Sequence, residues 1–267
     1  MTAARIVGLD RPSHLSASAI ADWVRCPLLW YGRRVAKWPQ PPSAPMALGK
    51  ALHAAFEAHH RNRDAELVLL TSWRDAVSDR QVLFPAALAA LERYIRHNPR
   101  QPNDRPEVRF NLPIPGLPGV TLLGYLDLLR GWEVHELKSC KAATTWTQEK
   151  VDGALQGTAY WWAFGQLRQR EPSHVVYHAV PLDGTEPRRY YTHRSTDQVD
   201  ELLALARRVH GEMTDGGYLQ PKCAPSRCEF KDHCPAFTDR RPAPDDRAGA
   251  AGGILGPAPE WPTLRVG

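Results

Sequence analysis

Gly124-Tyr125-Leu126-Asp127-Leu128-Leu129-Arg130-Gly131-Trp132-Glu133-Val134-His135-Glu136-Leu137-Lys138 reads as two strands joined by a tight turn at Arg130-Gly131. Alternate residues of a strand share a face, so Glu136 and Lys138 project together while Leu137 points the other way into a core. Across the turn, the matching register brings the Asp127 carboxylate beside Glu136. Two neighbouring carboxylates repel unless a cation joins them, and oxygen donors of this kind suit Mg²⁺ or Mn²⁺. Glu-x-Lys alone carries little information, since roughly one arises by chance in a chain of this length. Glu229-Phe230-Lys231 is a second instance, with no strand pair before it. The plain alternative for Glu136 and Lys138 is a surface ion pair on a strand. The preceding Asp127 and the turn are what set the first instance apart.

Upstream of the hairpin, Val108, Phe110 and Leu112 alternate and Pro113 to Gly119 is a turn region, so residues 107–138 form a three-strand meander in outline. Before it the pattern is helical. Ser16 or Ser18 starts a helix with an apolar stripe through Ile20, Trp23, Val24 and Leu28, leaving Cys26 on or just past its end. Trp38 to Pro45 reads as a proline-rich loop, Leu48, Leu52 and Phe56 recur at helical spacing, and residues 67–97 read as helical with a break near Ser78 to Gln81. After the hairpin come one long helix over 147–168, strands over 174–180 and 188–193, and a helix over 196–213. This order predicts an α/β fold, a mixed central β-sheet flanked by helices. The expected organisation is an extension over 1–14, a helical region over 15–106, a core over 107–215, a cysteine region over 216–241 and a disordered tail over 242–267.

The chain has 267 residues, 43% hydrophobic, with a formal charge of +5. That allows a substantial core, and the small positive excess suits a phosphate-bearing partner without requiring one. No run approaches the roughly 18 apolar residues of a membrane helix, and Met1-Thr2-Ala3-Ala4-Arg5 leads into a polar stretch rather than a signal peptide. A cytoplasmic protein is the expectation. Five cysteines make an odd count and argue against a disulfide framework. Cys223, Cys228 and Cys234 lie in one short stretch, the spacing of a metal or cluster loop, with His233 a spare zinc ligand and Cys140 standing apart as a free thiol.

The hairpin, together with Leu15-Ser16-Ala17-Ser18 through Cys26-Pro27, Gly49-Lys50-Ala51-Leu52-His53 and Gln156-Gly157-Thr158-Ala159-Tyr160, resembles the PD-(D/E)XK nuclease superfamily, and within it the RecB-like branch, from about residue 15 to 237. The resemblance implies a restriction-endonuclease-like core. It implies that His53, Asp127 and Glu136 bind metal with the Leu137 carbonyl as a further ligand, that Lys138 is the catalytic lysine, and that Gln156 and Tyr160 contact or position DNA. Independently, Gln156 and Tyr160 are four apart on an expected helix and share a face. Taken alone, His53 reads as a helix histidine beside Glu57, and Gln156 and Tyr160 as an amphipathic boundary.

Iron–sulfur members of that branch, similar to CRISPR-adaptation nucleases and AddB-type domains, join one N-terminal cysteine to three C-terminal ones. The resemblance therefore implies that Cys26, Cys223, Cys228 and Cys234 hold a [4Fe–4S] cluster, with structural zinc as the alternative. The five-residue step from Cys223 to Cys228 is longer than in some relatives. The expected activity is that of a Mg²⁺- or Mn²⁺-dependent DNA exonuclease on single strands or duplex ends, in recombination, repair, phage DNA processing or CRISPR spacer acquisition, with a protein partner from such a complex. A non-cleaving DNA-binding subunit is the alternative; the intact Asp127, Glu136 and Lys138 argue against it.

Overall fold

The computed structural model describes residues 12–39, 44–73, 80–214 and 228–234. Cys223 and the tail over 242–267 lie outside them. These residues belong to two compact units, one drawn from 13–18, 44–73 and 80–207 and the other from 12, 19–39, 208–214 and 228–234. No helix among them is long and apolar enough to cross a membrane.

The larger unit is a mixed α/β fold built on one mixed sheet. The meander forms as β2 (Arg105–Pro113), β3 (Thr121–Arg130) and β4 (Glu133–Cys140), paired antiparallel in sequence order. Gly131, with φ +58°, supplies the left-handed residue of the β3–β4 turn. β5 (His174–Pro181) adds parallel to β4, and β6 (Arg188–Thr192) antiparallel to β5. A two-residue strand that the sequence did not announce, β1 (His14–Leu15), runs parallel to the start of β3. Because β2 follows β3 from Thr121 to Leu129, β1 and β4 share its other edge at opposite ends.

One feature of this pairing makes the site. β3 and β4 are in register only over Leu128↔His135, Leu129↔Val134 and Arg130↔Glu133. Beyond them β4 leaves β3 and continues along β5, with Glu136, Leu137 and Lys138 opposite Tyr177, His178 and Ala179. The strands thus fork at Asp127 and Glu136.

Helices cover both faces, as a parallel pair requires. On one side, α3 (Ala44–His60), α4 (Ala65–Ser72) and α5 (Arg80–His97) bury Leu52, Phe56, Leu69, Trp73, Leu91 and Tyr94 against Leu137 and Val180. Asp64 caps α4 by accepting from Leu67 N–H at 2.9 Å. Truncating a side chain placed like Leu137 to alanine costs about 2–5 kcal/mol. The single helix expected over 147–168 is two, α6 (Gln148–Asp152) and α7 (Leu155–Arg168), broken at Gly153-Ala154. α7 packs on the sheet, and β5, buried along nearly all its length, reads accordingly as an apolar run. α8 (Thr196–Thr214) follows β6.

A closed polar ring fastens the β3–β4 turn to the helices. Arg130 grips Asp104 through Nε and a terminal nitrogen at 2.7 and 2.9 Å and donates to Asn98 Oδ1 at 2.8 Å. Asn98 donates to the Tyr94 hydroxyl at 2.6 Å, and His60 lies 2.7 Å from both Tyr94 Oη and Asp104 Oδ2. Every donor finds an acceptor if His60 is neutral, donating from Nδ1 to Asp104 and accepting at Nε2 from Tyr94. Burial drives the His60 imidazole down to about 4. Burial alone would raise Asp104, but Arg130 and His60 hold it down at about 2.

In the smaller unit, α1 (Ala17–Arg25) ends just before Cys26, which is the N-terminal residue flanking α2 (Pro27–Arg34). Arg33 Nε donates to Glu229 at 2.7 Å and its terminal nitrogen to Asp22 at 2.6 Å, while Trp38 stacks on His233 at 5.0 Å and meets Phe230 edge-on. Gly32 is required there, since a Cβ would stand 2.3 Å from the Trp38 ring. Cys26 and Cys234 are buried and Cys228 partly so.

Candidate active site

Asp127 sits at the fork, where β3 no longer supplies a backbone acceptor to β4. Its Oδ2 takes that place by accepting from Leu137 N–H at 2.8 Å, and the same oxygen lies 2.9 Å from His53 Nε2 on α3. Its Oδ1 receives the Tyr160 hydroxyl at 3.4 Å. Burial alone would raise the Asp127 carboxyl; the His53 imidazole, Leu137 N–H and the Lys138 charge hold it below its ordinary value. For His53, burial acts downward, but the Asp127 bond, with the charges of Glu136 and Glu107, raises it.

Glu136 and Lys138 form an ion pair on the other branch of the fork. Glu136 is 1% exposed, and burial together with the Asp127 charge pushes its carboxyl well above the usual range against the pull of Lys138. Burial opposes the Lys138 ammonium, yet the Glu136 and Asp127 charges outweigh it and raise its pKa. Lys138 is therefore a charged donor in this arrangement.

Gln156, near the start of α7, joins these groups. Its Oε1 accepts from Lys138 Nζ at 3.1 Å, and its Nε2 donates to Glu136 Oε2 at 3.0 Å and to Tyr160 Oη at 2.8 Å. The face shared by residues four apart thus points at the fork. Burial and the nearby carboxylates keep the Tyr160 phenol protonated, as a donor.

One member has no counterpart in the sequence reading. The Glu107 carboxylate lies with His53 and Asp127 in a group whose donor atoms are all within 4.8 Å of one another. Counting back from the Pro113↔Thr121 pair sets Glu107 opposite Asp127, although the two make no regular ladder pair. Glu107 has φ +52°, a left-handed conformation inside a strand that costs a side-chain-bearing residue on the order of 1–3 kcal/mol. Burial, then the Asp127 charge, raises its carboxyl. One imidazole and two carboxylates that repel each other fit a divalent cation. Glu136, expected in the metal set, faces Lys138 and Gln156, and the Leu137 side chain goes to the core while its N–H goes to Asp127.

Arg194 was also unforeseen. It is 4% exposed, and its guanidinium donates to the carbonyls of Val151 and Ala154 at 2.9 and 3.3 Å and to Thr158 Oγ1 at 2.8 Å. Ala154 offers no side-chain cap to α7. Arg194 instead donates to the carbonyls just before α7, and a Cβ on Gly157 would come within 2.7 Å of its guanidinium. Gln156 lies on this first turn, between Ala154 and Thr158.

Of the four cysteines expected to act together, Cys26, Cys228 and Cys234 fall in the smaller unit and Cys223 lies outside the described residues. Cys140 ends β4, buried, its thiol pushed up to about 11 by burial and Asp183.

A family model described as the PD-(D/E)XK nuclease superfamily matches residues 14–235. No curated protein matches the chain. Among solved structures, that of SSO0001 is similar at 13% identity and a TM-score of 0.41, covering 86% of this chain and 90% of that one. That of an alkaline exonuclease, LHK-Exo from Laribacter hongkongensis, is similar at 14% identity and a TM-score of 0.35, covering 77% of this chain and 90% of that one.

Proposed function

Since the chain belongs to the PD-(D/E)XK nuclease superfamily, we propose that it is a divalent-metal-dependent deoxyribonuclease, cutting from single-stranded or duplex ends, with the β3–β4 fork as its active centre. The observation that carries this reading is the convergence on Asp127 of His53 from α3, Leu137 N–H from β4 and Tyr160 from α7, beside the Glu136–Lys138 pair.

The reaction adds water to phosphorus and breaks one P–O bond, the leaving oxygen taking up a proton. His53, Glu107 and Asp127 are the residues that would hold Mg²⁺ or Mn²⁺, with Glu136 and the Leu137 carbonyl as further donors on the family's pattern. When bound, the cation stabilises negative charge on the phosphate and lowers the pKa of a coordinated water. Lys138, charged and aimed by Glu136 and Gln156, donates to the incoming water or to a phosphate oxygen. Gln156 fixes the Lys138 ammonium, and Tyr160 holds the free Asp127 oxygen.

The exonuclease mode and the RecB-like iron–sulfur branch rest on the motif set. In the same reading Cys26, Cys223, Cys228 and Cys234 hold a [4Fe–4S] cluster, with zinc the alternative; three of these thiols belonging to one compact unit support it. The cluster's role is that of a staple contributing fold stability. The protein partner and the pathway, in repair, recombination, phage DNA processing or CRISPR adaptation, belong to the same proposal.

The test uses the full chain with Mg²⁺ or Mn²⁺ on linear single strands, linear duplex and closed circles. Nucleotide release from the linear forms, resistance of the circles, and loss of activity with chelator or in Asp127→Ala, Glu136→Ala and Lys138→Ala are expected. Full activity in all three variants would sink the assignment. Visible thiolate-to-iron absorption supports the cluster; a colourless protein with one zinc per chain replaces it with zinc.

A further inference from the structure

Beside Glu107 the larger unit opens into a cleft of about 670 Å³, lined by Glu57, His60, Arg61, Arg63, Arg100, Asp104 and Pro106. We propose that this cleft is a second phosphate site, where Arg61, Arg63 and Arg100 hold a phosphate of the nucleic acid other than the one being cleaved. The proposal rests on the nuclease reading and extends it from the reacting group to the strand that carries it.

The charge inventory favours an anion. Asp104 is fully engaged by Arg130 and His60 and is buried away from solvent. Glu57 is the remaining carboxylate, shared by Arg61 at 2.6 Å and Arg63 at 3.6 Å. Arg100 has no ion pair among the described residues and stands exposed on the rim. Within the lining three guanidiniums therefore meet one available carboxylate, with Glu107 just outside it next to Pro106, and the side chains of Arg61 and Arg63 remain about half exposed. Guanidinium groups match phosphate oxygens in pairs.

Position ties the cleft to the fork. Arg61 donates to the Pro106 carbonyl at 3.3 Å, one residue before Glu107. His53 and Glu57 are successive turns on one face of α3, and Arg61 follows at the same spacing just past its end, so that a strand lying along this helix passes from the cation donors to the arginines. The volume exceeds what a bare ion needs and is within the range of small-molecule sites, which suits a phosphate with its sugar.

The experiment measures binding of a short fluorescein-labelled oligodeoxynucleotide over a range of salt, without added metal so that no cleavage competes. The double variant Arg63→Glu/Arg100→Glu is compared with the wild type and with Arg168→Glu/Arg170→Glu, an equal charge change at the far end of α7. We expect the cleft variant to bind at least about tenfold more weakly than the control variant, with the slope of log affinity against log salt reduced by about 2. Equal losses in the two variants, or an unchanged slope, would overturn the cleft. Oligonucleotides with and without a terminal phosphate divide the two sources of this chemistry: a deficit confined to the phosphorylated form assigns a terminal phosphate, and the same deficit in both assigns an internal one. The two readings fail separately. Cleavage by wild type with an unaffected cleft variant removes the cleft alone, whereas a weakened variant of a protein that never cleaves removes hydrolysis and keeps the cleft as a nucleic-acid contact.

Discussion

The Gln156 carboxamide oxygen accepts from the Lys138 ammonium at 3.1 Å, across eighteen residues of sequence. The same amide donates to Glu136, so one neutral side chain sets both members of the ion pair. A hydrogen bond to a charged group contributes about 1.5–3 kcal/mol. Gln156→Ala should therefore lower the cleavage rate about ten- to a hundredfold. Steady-state kinetics should put the loss mainly in kcat, and a loss confined to KM would make Gln156 a DNA contact instead.

Glu107 and Asp127 repel across the β2–β3 pair, and a cation removes that repulsion. Mn²⁺ at about a hundred times its dissociation constant should stabilise the protein by roughly 2.7 kcal/mol, several degrees in Tm. Glu107→Gln should raise the Tm without metal and shrink the Mn²⁺-dependent rise. Differential scanning fluorimetry with and without Mn²⁺ measures both, and an undiminished rise would remove Glu107 from the ligand set.

Arg194 acts on the site through the start of α7. Arg194→Met leaves the Val151 and Ala154 carbonyls without this donor and should cost about 2–4 kcal/mol of stability. At a temperature where the variant stays folded, it should also slow cleavage. If it works by seating Gln156, adding Gln156→Ala to Arg194→Met should cost little more than either alone; additive losses would reduce Arg194 to a purely structural role.

The polar ring makes stability fall in acid. His60 titrates near its ordinary 6.5 when unfolded but at about 4 when folded, so between those values the unfolded chain binds the extra proton. Stability is complete above pH 6.5 and declines as pH falls toward 4, by about 3 kcal/mol for His60 alone at 1.36 kcal/mol per unit. The buried His178 and His135, both lowered, act with the same sign. Below that window Asp104, held at about 2, adds a further loss as it protonates. Thermal unfolding from pH 8 to 4 should show the decline, and His60→Gln should flatten it.

The hairpin and its neighbours were legible because local rules govern them. Period-two alternation gave the meander, strand parity separated Leu137 from Glu136 and Lys138, and helical spacing aimed Gln156 and Tyr160 together. Glu107 escaped because Arg105-Pro106-Glu107 looks like an ordinary strand start; its meaning lies in the register with β3. That signal was available, since counting back from the turn at 113–121 sets it opposite Asp127. Arg194 left no trace at all, because its partners around the start of α7 are thirty-six to forty-three residues away and two of the three are backbone carbonyls. The split of α6 from α7 was half-visible in Gly153, but the capture of the freed carbonyls by Arg194 was not.

The fork is assembled from segments far apart along the chain. Proteins are made from the amino end, and Asp127, Glu136 and Lys138 emerge before the side chains that seat them. Gln156 is eighteen residues later than Lys138, and the guanidinium that fixes its helix belongs to residue 194. A nascent chain carries the reactive groups but lacks their scaffold until the sixth strand has left the ribosome.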